Sequence, residues 1–125
     1  SEDAYASAAN YLKTIGWKKN SPCFYRVDLK ENIPKKYLNS SARNIKNKKK
    51  VNFLKKYINN FEDLKINNNL MAAIIIPDKD IIPGAETLSP AYIIFDNYEK
   101  ILNWNRSLRF ALAVCTLKES FKNEI

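Results

Sequence analysis

Leu70-Met71-Ala72-Ala73-Ile74-Ile75-Ile76-Pro77 is a nearly continuous apolar run, partly β-branched and stopped by a proline. Branched side chains fit a pleated backbone, and proline has no N–H to give a ladder, so the run reads as a strand ending near Ile76. Its lack of polar alternation makes it a buried strand rather than a half-exposed one. Asn67-Asn68-Asn69 before it is a turn. Asp78 to Pro90, with three acids, Pro83, Gly84 and Pro90, reads as a long exposed loop, and Ala91 to Phe95 repeats the apolar pattern. No crossover helix of adequate length fits between the two runs, so they are expected to pair as antiparallel neighbours. Leu70 to Ile76 is also the longest apolar run in the chain, far below the roughly 18 residues of a membrane-spanning helix, and the expectation is a soluble chain.

Outward from this pair, Cys23 to Leu29 alternates as a half-buried strand does, with Cys23, Tyr25, Val27 and Leu29 on one face and Phe24, Arg26 and Asp28 on the other. Pro34, Asn39, Ser40, Ser41 and Lys48-Lys49-Lys50 make Ile33 to Lys50 a loop with one helical turn at most. Val51, Leu54, Ile58 and Phe61 have the spacing of a short amphipathic helix. At the start, Ser1 followed by Glu2 and Asp3 is an N-cap with acids in the first turn. Tyr5, Ala8, Ala9, Leu12 and Ile15 then recur at helical spacing up to a stop at Gly16. At the end, Phe110, Ala111, Val114, Leu117 and Phe121 form one face of a helix from about Arg106 to Lys122, with Asn105 or Asn103 as its cap. Each terminal helix is too apolar on one side to stand alone. The reading is therefore α+β: core helices at 1–20 and 97–125 belong to a helical body, and 21–96 is a small antiparallel β-subdomain inserted between them.

The chain has 125 residues, enough for one modest domain, and a formal net charge of +8. Such a charge raises nucleic acid, an anionic membrane or a polyanionic cell wall as partners. But it is built from 17 Lys and only 4 Arg, beside 16 Asn and 14 Ile, residues that adenine- and thymine-rich codons favour. Arg, which forks onto phosphates and guanine edges, is scarce, so a generic solvated basic surface is preferred and nucleic acid is not expected.

Chemistry is constrained by what is missing. There is no His, hence no usual proton shuttle, and no G-x-S-x-G, phosphate-binding Gly-rich loop or H-E-x-x-H. Cys23 and Cys115 fit no metal spacing, so neither a metal nor a cofactor is expected, and both free thiols and a disulfide stay open. A carboxylate is left for acid–base work, as in glycoside chemistry, yet Glu2, Glu31, Glu62, Glu86, Glu99, Glu119 and Glu124 all have polar or charged neighbours and read as solvated. The segment from Asp96 to Val114 says more. Trp104 directly before Asn105, with Phe110 further on, offers a stacking plate beside a directional amide, which suits a sugar with its apolar face and polar edges. The same residues also read as core aromatics and a helix cap.

Ile101-Leu102-Asn103-Trp104-Asn105-Arg106-Ser107, followed by Phe110-Ala111-Leu112-Ala113-Val114, resembles the C-terminal signature of lytic murein transglycosylases of the membrane-bound B type. The stretch Asp3-Ala4-Tyr5-Ala6-Ser7-Ala8-Ala9-Asn10-Tyr11-Leu12-Lys13-Thr14-Ile15-Gly16-Trp17 resembles the helix carrying that family's ANYL…GW motif. Pro77, the strand Pro90 to Phe95 and Asn97-Tyr98 follow in the family's order, while Lys30 to Asn69 matches only in length and general character. The resemblance implies a periplasmic lyase, membrane-anchored only through a segment outside this chain. Its fold is a lysozyme-like helical core with an inserted β-domain, and it cleaves the β-1,4 MurNAc–GlcNAc bond of peptidoglycan without water. It implies that Tyr11, Trp104, Asn105 and Phe110 are substrate-binding: Tyr11 a polar cleft aromatic, Trp104 a sugar-stacking wall, Asn105 a partner of glycan or acid. Phe110 stands where relatives often have Tyr, so only packing is expected there. The family's catalytic Glu lies upstream of the helix that opens this sequence, so the chain is expected to be inactive alone, with a non-catalytic peptidoglycan-binding or split-gene remnant as the alternative.

Overall fold

The computed structural model describes residues 10–18, 20–77 and 90–119. Helical backbone at 10–14 (α1) leads to β1 (Phe24–Val27), a 3-10 turn at Lys35–Tyr37 and β2 (Leu38–Asn39). Then β3 (Lys49–Lys50) runs into α2 (Val51–Leu54), followed by β4 (Met71–Ile75), β5 (Ala91–Ile94), α3 (Asp96–Trp104) and α4 (Leu108–Glu119). The architecture is α+β.

The apolar runs are central strands. Strand order is β1-β5-β4-β2, with β1, β5 and β4 antiparallel and β3 pairing β4. Both faces of β4 and β5 are covered, which is why their sequences do not alternate. Ala72, Ile74, Ala91, Ile93 and Phe95 pack with Val27, Leu29, Val51, Leu54 and Ile58 on one side. Ala73, Ile75 and Ile94 pack with Tyr98, Ile101, Leu102, Leu108, Ala111 and Cys115 of the helices on the other.

Several expectations are corrected. The sheet is mixed rather than antiparallel, because β2 runs parallel to β4 with Leu38 opposite Ile74 and Asn39 opposite Ile75. Two residues are too few to show a period. What holds them is the buried Asn39 side chain, whose Nδ2 donates to the Ile74 carbonyl at 2.9 Å and the Lys46 carbonyl at 3.1 Å while its Oδ1 accepts the Lys46 N–H at 2.8 Å. The helix expected from Val51 to Phe61 stops at Leu54 and continues as a 3-10 turn at Lys55–Tyr57. Its later peptide groups bond to the chain after β1 instead of to their own preceding turn: Lys30 N–H to the Tyr57 carbonyl at 2.8 Å, Asn59 N–H to the Asp28 carbonyl at 2.7 Å. Cys23 does not share a face with Tyr25 and Val27; it precedes β1 and packs with the helices, as does Phe24.

The helix ends are legible in their hydrogen bonds. Gly16 has φ +85°, and Trp17 N–H reaches the Leu12 carbonyl at 3.0 Å while Gly16 N–H reaches Lys13 at 3.1 Å, the Schellman stop that the glycine foreshadowed. The cap of α4 is Ser107, whose Oγ accepts the Phe110 N–H at 3.1 Å, not Asn105 or Asn103. Both asparagines fall at the end of α3, a helix the sequence reading did not separate. The buried face of α4 holds Leu108, Ala111 and Cys115, with Val114 half-buried against it, while Phe110 and Leu117 of the expected stripe are exposed, so only Ala111 and Val114 of that stripe face the core. The Ser1 cap with Tyr5, Ala8 and Ala9, most of the Asp78–Pro90 loop, and Phe121 lie outside the described residues. Among the described residues no helix is long and apolar enough to cross a membrane.

Candidate functional site

The α3–α4 corner is held by two buried side chains. Asn97, fully buried, accepts the Lys18 N–H on Oδ1 at 2.9 Å and donates from Nδ2 to the Lys18 and Ser21 carbonyls at 2.9 and 3.0 Å. One side chain thus satisfies three backbone groups of the segment after α1. Tyr98, also fully buried, donates its hydroxyl to the Leu108 carbonyl at 2.8 Å and fixes where α4 begins. Burial pushes its phenol well above the ordinary value, with Tyr92 adding to the rise. On the rim, Asp96 meets Lys18 at 3.3 Å and Lys100 at 3.1 Å. Partial burial alone would raise its carboxyl, but hydrogen bonds and charge from Lys100 and Lys18 outweigh that and hold it below the usual value.

Cys23 and Cys115 form a disulfide with Cα atoms 6.1 Å apart, joining the entry to β1 with α4. With the Asn97 clamp, it binds α1, the sheet and α4 into one frame. A cleft of ≈ 420 Å³ bordered by Pro22, Phe24, Tyr25 and Thr116 lies beside it.

This frame brings Tyr11 and Trp104 together, ring centroids 5.7 Å apart and planes at 71°, an edge-to-face contact. Trp104 is 59% exposed although it ends a helix whose other aromatic is sealed. The Tyr11 hydroxyl is buried with no partner among the described residues, and desolvation raises its phenol. Asn105 follows Trp104 in extended backbone, exposed, its carbonyl accepting the Ser107 N–H at 2.8 Å. Phe110, 39% exposed, makes no ring contact with Tyr11 or Trp104 among the described residues.

Two adjoining polar clefts, which the sequence reading missed, flank the same corner. One, ≈ 250 Å³, is lined by Arg43, Asn44, Lys48, Glu99, Asn103 and Arg106, with Lys48 paired to Glu99 at 3.0 Å. The other, ≈ 230 Å³, shares Arg106 and adds Arg109, Ser107, Ser40 and Pro77. Three of only four arginines in the chain meet here, and that scarcity was the available signal. Among the described side chains every carboxyl is exposed except Glu99, which is half-buried. No group of three metal-ligating side chains occurs among the described residues.

The model of the Transglycosylase SLT domain matches residues 1–119. No curated protein sequence matches the chain. Crystal structures of SltB3 from Pseudomonas aeruginosa, one in complex with NAG-NAM-pentapeptide and one with NAG-anhNAM-pentapeptide, are similar at 29% identity and a TM-score of 0.66. Each alignment covers 96% of this chain and 30% of SltB3, so the chain spans under a third of that relative. With that family model matching nearly its whole length, the chain belongs to the transglycosylase SLT domain family.

Proposed function

We propose that this chain forms one wall of the glycan cleft of a peptidoglycan lytic transglycosylase of the membrane-bound B type, from its C-terminal part. The observation that carries the reading is the exposed Trp104 indole braced on its edge by Tyr11, in a chain of this family. An indole left in water gains by stacking on the apolar face of a sugar, and the neighbouring Asn105 amide can both donate and accept along the ring's polar edge. Phe110 adds apolar surface without a hydroxyl. In this reading 21–96 is a β-subdomain inserted between core helices at 1–20 and 97–125.

The reaction is non-hydrolytic. A Glu protonates the oxygen leaving between MurNAc and GlcNAc, the 6-hydroxyl of MurNAc attacks its own anomeric carbon, and the carboxylate takes that hydroxyl's proton as the 1,6-anhydro ring closes. One ligand bound to the SltB3 relative, NAG-anhNAM-pentapeptide, carries the anhydro ring that this step forms, which supports the reading. A periplasmic setting agrees with the Cys23–Cys115 bond, since disulfides persist in oxidising compartments, and any membrane anchor belongs outside this chain.

Digestion of purified peptidoglycan tests the proposal. The 125-residue chain should release no anhydro-muropeptides, and the same chain joined to its Glu-bearing portion should release them. Release by the chain alone refutes the missing acid. Binding to murein without release from the joined protein favours the second reading, a non-catalytic peptidoglycan binder.

A further inference from the structure

The net charge is not spread over the chain. Residues 32–61 hold eight lysines and Arg43 with no Asp or Glu, more positive charge than the +8 of the whole molecule, and the remaining residues are slightly acidic. The structure gathers part of this segment around three rings on the sheet face opposite α3 and α4. Tyr37, Phe53 and Tyr57 contact one another with centroids 5.6 to 6.3 Å apart. The Lys56 ammonium lies 4.1 Å from the Phe53 centroid and Lys49 5.4 Å from the same ring, so the two sit within one Debye length of each other, ~10 Å at 0.1 M salt. Lys36 lies 5.2 Å from the Tyr37 centroid. Lys36, Lys49, Lys50 and Lys56 are exposed, and none meets a carboxylate among the described residues. Holding like charges this close opposes folding, and a polyanionic partner relieves it.

The chemistry selects the partner. Lysines act as point charges, and the fork that reads a phosphate or a base edge is absent from this patch. Tyr37 is buried and the other two rings are half-buried with ammoniums beside them, which leaves no plate for a nucleobase. These ammoniums stand on an exposed face outside the clefts described above, where a surface can meet them but a single strand is not gripped. We propose that this lysine face, centred on Lys36, Lys49 and Lys56, docks on an anionic phospholipid membrane. The chain then meets the membrane directly, beside any anchor elsewhere in the protein.

Vesicle co-sedimentation of the 125-residue chain tests this. It should bind vesicles with about 30% phosphatidylglycerol at about 50 mM salt, not phosphatidylcholine alone, and weaken at least about tenfold at 150 mM. Replacing Lys36, Lys49 and Lys56 by Gln should weaken binding at least about tenfold, since each ammonium near such a surface contributes about fivefold, whereas Gln at exposed Lys13, Lys30 and Lys65 should not. Circular dichroism confirms the fold, and if the threefold variant is unfolded, the K49Q/K56Q pair should lose at least about fivefold. No binding at low salt, an unaffected folded variant, or tighter capture by duplex DNA of matched charge overturns the proposal. None of these outcomes touches the murein reading, which rests on the opposite face.

Discussion

Trp104 and Ser107 sit three residues apart and carry opposite consequences. Trp104→Ala removes a largely exposed indole whose one ring contact among the described residues is Tyr11, so the thermal midpoint should move by no more than about 4 °C. Affinity for a muropeptide, measured by calorimetry, should drop at least about fivefold, since aromatic stacking contributes about 1 kcal/mol or more. An unchanged affinity removes the stacking wall from the proposal. Ser107→Ala should cost about 1 kcal/mol in urea unfolding because it uncaps α4, while Asn105→Ala should leave stability within about 0.5 kcal/mol. The sequence reading named Asn103 or Asn105 as the cap and passed over Ser107, although all three are residue types that cap. Only the backbone path after α3, extended at Asn105, decided between them.

At the scale of elements, the long-range links matter most. The Cys23–Cys115 bond spans a sequence separation of 92, and closing a loop of that order restricts the unfolded chain by about 2–5 kcal/mol. Urea unfolding with and without a reductant should show that loss, and the Cys23→Ala/Cys115→Ala variant should match the reduced protein; equal stabilities in all three would assign the link no structural weight. The bond was not readable from two distant cysteines. By contrast β4 and β5 were, because strands covered on both faces write continuous apolar runs into the sequence. α3 escaped notice although Tyr98, Ile101 and Leu102 have helical spacing and Asp96 and Glu99 favour its first turn. Its Asn-rich end merged with the start of α4, so two helices read as one.

For the whole molecule, pH exposes which groups folding depends on. Tyr98 has its phenol pKa raised above the ordinary 10.0, so the unfolded chain releases that proton first. The stability it contributes is complete below pH 10 and declines as pH rises beyond it, by up to about 1.4 kcal/mol per pH unit. Chemical unfolding from pH 9 to 11.5 should show the decline, and Tyr98→Phe should flatten it while lowering neutral stability by about 1 kcal/mol for the hydrogen bond to Leu108. An equal slope in the variant assigns the alkaline limb to other groups. By itself the sequence determined the central strands, the stop at Gly16 and the α+β class, because burial and backbone conformation constrain residue types locally, and its motifs carried the resemblance to transglycosylases. The structure alone decided the parallel edge strand held by Asn39, the disulfide, the meeting of Tyr11 with Trp104 and the convergence of three arginines. Each of these depends on groups far apart in the chain, whose approach is set by how the two cores close on the sheet.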